Sequence, residues 1–101
     1  RSMERKMTMK LKSGLVLRQV AGENVVLSVG GEVELKGMIT LNETAAFLWQ
    51  KAEETTRSHG SFEVSDLCKP LCDEYEVSPA QAMTDVEATV ASWREAGIIE
   101  A

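Results

Sequence analysis

Apolar and polar positions alternate in the first half of the chain and recur at helical spacing in the second. Leu15 to Val20 (LVLRQV) and Val25 to Val29 (VVLSV) are alternating, β-branched runs. The intervening Ala21-Gly22-Glu23-Asn24 is turn chemistry, so the pair predicts a hairpin. Gly30-Gly31 breaks the second run. Glu32 to Leu35 (EVEL) alternates acid and apolar residues and predicts a short extra strand or the arm of a wing, after which Gly37 marks a bend. From Met38 to Leu41 the chain is again extended, with Ile39 and Leu41 on one face and Met38 and Thr40 on the other.

Asn42 changes the period. Its side-chain oxygen suits the free N–H groups of a first helical turn, and Glu43 puts a carboxylate at the positive end of the helix dipole. Ala45, Leu48, Trp49 and Ala52 then form one apolar stripe, with Leu41 placed to fold back as a hydrophobic staple. This first helix is expected from about Glu43 to Glu53 or a little beyond, fading into a polar surface loop at Thr55 to Gly60 (TTRSHG). A second helix lies within Val64 to Tyr75, where Val64, Leu67, Cys68, Leu71, Cys72 and Tyr75 follow helical spacing. Pro70, inside this pattern but off its apolar face, predicts a kink or a tightened turn. The third helix opens on Ser78-Pro79-Ala80-Gln81, with a capping serine, proline at the first helical position and glutamine three residues after the cap. Ala82, Val86, Val90 and Trp93 make its stripe, widened by Met83 and Thr89. Gly97 ends it, and Ile98 and Ile99 are placed to fold back on the last turn.

Strands thus come before helices, which predicts an α+β domain: winged-helix-like, with a three-stranded antiparallel sheet followed by a three-helix cluster. The last two helices, joined through Glu76-Val77, form a helix-turn-helix pair with the hairpin as a wing. At 101 residues the chain holds one core. Residues 1–10 read as a flexible basic N-terminal arm or tag remnant, and 11–101 as a single domain. Arg1-Ser2-Met3 fits a cloning remnant, and Met7 or Met9 would serve as a native start.

The formal charge of −5 is unevenly spread. Residues 1–20 carry six of the eleven Lys and Arg residues and only Glu4 as an acid, so the rest of the chain has five basic and fifteen acidic groups. An acidic body discourages phosphate binding, and the basic arm lacks the aromatic interleaving of a nucleic-acid grip. No run approaches the roughly 18 apolar residues of a membrane helix, and the start lacks the apolar core of a signal peptide; a cytoplasmic protein without membrane contact is expected.

Catalysis would need a nucleophile with a base, a metal cluster or a glycine-rich phosphate cradle. Gly30-Gly31 lacks the following helix of a phosphate loop, and His59 is the only histidine. Cys68 and Cys72, four apart on one helical face, have metal-ligand spacing but share that face with Val64, Leu67 and Leu71. Two small core residues are the simpler reading, and helical geometry does not favour a disulfide between them. No enzyme activity, cofactor or metal is expected.

Binding remains, in two forms. A winged-helix DNA reader would carry cations on its third helix, yet Arg94 is the sole cation between Pro79 and Ala96, against Asp85, Glu87 and Glu95. The alternative is strand addition, in which a peptide pairs with an open sheet edge. About five backbone hydrogen bonds at a net ~1 kcal/mol each, with one or two buried apolar side chains, suit micromolar binding.

LNETAAFLW at Leu41 to Trp49, LCDEYEVSP at Leu71 to Pro79 and DVEATVASWREAGIIE at Asp85 to Glu100 together resemble coenzyme PQQ synthesis protein D (PqqD) and its relatives, over nearly all of residues 10–100. The resemblance implies a peptide-binding module of the RiPP precursor recognition type. Such a module captures the leader of a ribosomally made precursor peptide as an added strand and presents it to a radical S-adenosylmethionine enzyme, in PQQ biosynthesis or a related pathway. Carried onto this chain, the strand is Met38, Ile39, Thr40 and Leu41, and the facing helix contributes Ala82, Met83, Val86 and Val90. Asn42, Trp49 and Trp93 fall at structural positions. The segment Glu53 to Gly60 and the EVEL segment depart from the family pattern as added length. An exposed edge strand also permits a homodimer by strand exchange.

Overall fold

The computed structural model describes residues 8–28 and 39–100, so the expected EVEL strand, Gly30-Gly31 and Met38 lie outside the described residues. The elements run β1 (Lys10–Leu11), β2 (Leu15–Val20), β3 (Glu23–Ser28), β4 (Ile39–Leu41), α1 (Glu43–His59), α2 (Val64–Tyr75), α3 (Pro79–Ala96) and β5 (Ile99–Glu100). Strands β2, β3 and β4 form a three-stranded antiparallel sheet in that order, and three helices follow, as the alternation and helical spacing predict.

The hairpin turn is tighter than expected. Val20 pairs with Glu23, leaving only Ala21-Gly22 as the loop, with φ of 52° and 84°. Two left-handed residues make a type I′ turn, whose twist matches that of the strands it joins, so Glu23 and Asn24 belong to the ladder and not to the turn. Directly paired residues share a face. Leu17, Val26 and Ile39 therefore line up toward the helices, and Val26 is fully buried. The outer face carries Val16, Arg18, Leu27 and Thr40, with Val20 at 52% and Leu27 at 40% exposure.

Strands β1 and β5 have no counterpart in the sequence reading. Lys10 pairs with Glu100 and Leu11 with Ile99, while Met9 exchanges backbone hydrogen bonds of 2.8 and 2.7 Å with Phe62. Two-residue strands show no period, and their partners lie about 90 positions away in the sequence, so no local pattern announces them. Met9 is buried, although it belongs to the segment read from sequence as an arm.

The first helix is longer than its apolar stripe suggests. The polar stretch expected as a loop is helical to His59, and only Gly60 leaves the helix, at φ 86° with its N–H on the Thr56 carbonyl. Three local features sustain the extra turns. Thr55 returns its hydroxyl to the Lys51 carbonyl at 2.9 Å, Arg57 and His59 sit at the negative end of the dipole, and Gly60 supplies the left-handed cap. Helix α2 begins where Asp66 Oδ2 accepts from the Glu63 N–H at 2.8 Å, and it continues through Pro70. Helix α3 starts on Ser78 Oγ, which accepts from the Gln81 N–H at 3.1 Å. It closes as a Schellman motif: Gly97 N–H donates to Arg94 and Ile98 N–H to Trp93, and Ile98 folds into the core.

One cluster joins the layers. Trp49 of α1 meets Trp93 of α3 edge-on, with ring centroids 5.7 Å apart, and Leu48, Phe62, Leu67, Leu71, Val86 and Ile98 fill the space around them.

Candidate functional site

Asn42 stops strand β4 after Leu41. Asn42 holds extended backbone angles while its Oδ1 accepts from the Ala45 N–H at 2.7 Å, so α1 begins with no intervening loop. Leu41 is buried, Ile39 half-buried and Thr40 exposed. On one side β4 is held by β3, in the register Leu41 to Asn24, Thr40 to Val25 and Ile39 to Val26. On its other side no strand pairs with it among the described residues. Its free N–H and C=O groups are a ready edge for an added strand. Where β4 passes into α1, a recess of about 700 Å³ opens at the end of the sheet, lined by Gln19, Asn24, Thr40, Leu41, Asn42 and Glu43.

The residues predicted on α3 divide. Ala82, Val86 and Val90 are fully buried parts of the common core, whereas Met83 stands 40% exposed and lies outside the stripe it was expected to widen. The sequence pattern thus identifies the wall of the core. Of the four positions predicted on the strand, Ile39, Thr40 and Leu41 lie together on β4, and Met38 lies outside the described residues.

Flanking these, α3 has two polar rows. Met83 and Glu87 follow each other at one helical turn, and Glu87 is close enough to Cys68 of α2 to act on its thiol. Burial, then Cys72, then Glu87 push the Cys68 thiol up, which disfavours the reactive thiolate. Both cysteines are unpaired and half-buried, and no group of three metal-ligating side chains occurs among the described residues. Arg94 turns its guanidinium onto Met9 Sδ at 3.2 Å. The opposite row holds Asp85 and Thr89, both half-buried, with Gln81 Nε2 donating to Asp85 Oδ1 at 2.9 Å. Helical periodicity marked Thr89 of this row as a widening of the stripe and had no means of marking Asp85.

A second groove, about 480 Å³, runs between α1 and α2 over Phe47, Lys51, Lys69 and Pro70. Its rim mixes Lys51 and Lys69 with Asp66, Asp73 and Glu74, a balance that favours neither sign of ligand.

The family model described as coenzyme PQQ synthesis protein D (PqqD) matches residues 23–99. Among solved structures, lasso peptide synthetase B1 complexed with the leader peptide is similar at 26% identity and a TM-score of 0.66, over 92% of this chain and 98% of that one. TbiB1 in complex with the TbiA(beta) leader peptide shares the fold, with a TM-score of 0.68 at 16% identity over 90% and 94% of the two chains. No curated protein matches the sequence significantly.

Proposed function

The chain belongs to the coenzyme PQQ synthesis protein D family, and from that premise we propose that it binds the leader of a ribosomally made precursor peptide by strand addition along β4. In this reading it presents the peptide to a radical S-adenosylmethionine maturation enzyme and performs no chemistry itself. The observation that carries it is the β4 edge, unpaired among the described residues, in a fold similar at 26% identity to a complex with a leader peptide. No helix among the described residues is long and apolar enough to cross a membrane, which fits a partner met in the aqueous phase.

Energetics shape the proposal further. In an antiparallel strand the N–H and C=O of a residue point to the same side, and successive residues alternate sides. In the register with β3, Ile39 and Leu41 turn their groups to Val26 and Asn24, so of the three described residues Thr40 has both groups on the free edge, for about two hydrogen bonds at a net ~1 kcal/mol each. Micromolar affinity requires about 8 kcal/mol. Roughly three quarters must come from side chains of the peptide buried against the neighbouring surface and from pairing beyond these residues, equivalent to about three well-buried apolar groups. Backbone pairing supplies alignment, and the flank of α3 supplies selectivity.

The test uses short random peptides displayed and selected on the full chain, with the tightest titrated into isotope-labelled protein. Amide shifts at Ile39 to Leu41 and along α3 are expected. Saturable binding that leaves Ile39 to Leu41 unmoved sinks the strand-addition reading.

A further inference from the structure

We propose that Asp85 selects a basic residue in the bound peptide. This rests on the reading that the peptide lies along β4 beside α3. Helix α3 has a core face, a flank on either side of it and an exposed outer face that carries Thr84, Ala88 and Glu95. Ala82, Val86, Val90 and Trp93 are closed into the core. On one flank Glu87 approaches Cys68 of α2, and Arg94, seven residues beyond Glu87, is engaged with Met9. The flank turned away from α2 carries Asp85 and Thr89, both half-buried.

Asp85 is built to accept. Gln81 Nε2 fixes one carboxylate oxygen at 2.9 Å, and the other oxygen has no hydrogen-bond partner among the described residues. A carboxylate already held in one rotamer loses little freedom when a cation arrives. Thr89 cannot compete for it, because its hydroxyl is committed to the Asp85 backbone carbonyl at 2.9 Å. The single cation of α3, Arg94, lies on the far row, so nothing on the helix neutralises Asp85. Around it the body of the protein is acidic, with fifteen acids to five bases beyond residue 20, which draws a cationic peptide toward the site and orients it. A lysine or arginine is the complement, with arginine able to take both the free oxygen and part of the fixed one.

Peptide selection on the full chain tests this directly, using wild type, Asp85→Asn, Asp85→Lys and Gln81→Ala. The wild type is expected to enrich Lys or Arg at one register position about tenfold, as one charge-assisted hydrogen bond implies. Asp85→Asn loses that preference, Asp85→Lys replaces it with Asp or Glu, and Gln81→Ala, which keeps the charge but frees the carboxylate, weakens it about threefold. Thermal melts report whether each variant is folded. Selected peptides that shift the amides of Ile39 to Leu41 but show no basic position overturn the role of Asp85 and leave strand addition standing. So does basic enrichment spread over all positions and retained in Asp85→Asn, the signature of general attraction to an acidic body. Peptides that bind without moving Ile39 to Leu41, or a failure to select any, overturn both.

Discussion

The sheet has two edges without a neighbouring strand among the described residues, and they are built differently. Strand β2 offers six residues. Its length makes β2 a ready template for an added strand. Yet its exposed half carries Arg18, whose Nη1 lies 3.3 Å from the Leu17 carbonyl, so the charged side chain occupies a backbone acceptor of its own strand. A charge on an edge strand is a common guard against unwanted pairing. Among the described residues strand β4 has no such guard. Thr40 is its only exposed side chain, and on either side of it Ile39 and Leu41 anchor the strand in the core. The edge suited to recognition is therefore the one anchored in the core and uncovered among the described residues, and the β2 edge is the defended one.

The largest expected contrast lies in how firmly each strand is held. Leu41→Ala removes a buried side chain at the end of β4 and should destabilise the domain by about 2–4 kcal/mol in urea unfolding. Val20→Ala, at the exposed end of β2, should stay within about 0.5 kcal/mol. Equal losses would mean that the β2 end is packed as tightly as β4, and the distinction between the edges would fall.

That distinction was only partly legible in the sequence. Asn42, Ser78-Pro79 and Gly97 mark element ends through their own chemistry, and each stands where that chemistry predicts. The apolar stripe of α3 was equally legible, but a stripe locates the side facing the core. Which flank α2 covers depends on contacts between helices, so Asp85 went unmarked and Thr89 registered only as a widening of the stripe, while Ala82, Val86 and Val90 stood out. The far end of α1 was misread for a related reason. Thr55 to His59 carries no apolar signal, and its helicity rests on the Thr55 hydroxyl, the dipole and Gly60. The β1–β5 pair depends wholly on tertiary contact.

Two local joints give the next contrasts. Asn42→Ala removes the cap that couples β4 to α1 and should cost about 1 kcal/mol, with Asn42→Asp close to neutral. Because the cap fixes where β4 ends, the Ala variant should also weaken peptide binding, measured by calorimetry on the folded variant. At the β2–β3 turn the sign reverses. Ala21 sits at φ 52°, a conformation in which a residue with a Cβ is strained and Asn is favoured, so Ala21→Asn should raise stability by a few tenths to ~1 kcal/mol. Affinity for a peptide on β4 should not follow, since the turn ties β2 to β3 and leaves the β4 edge untouched.

The smallest stability change comes from the residue that separates the two edges most sharply. Arg18 is exposed, and Arg18→Thr should alter unfolding by no more than about 0.5 kcal/mol. It nevertheless removes the charge and frees the Leu17 carbonyl, leaving a six-residue edge of alternating apolar character beside exposed Val20 and Leu27. Sedimentation across a range of concentrations should then show dimers that the wild type does not form, with new amide protection along Leu15 to Val20. Peptide affinity at β4 should remain within about twofold, because pairing through β2 leaves the opposite edge open. A variant that stays monomeric would show that Arg18 is not the guard, and protection appearing at Ile39 to Leu41 instead would show that copies and peptide compete for the same edge.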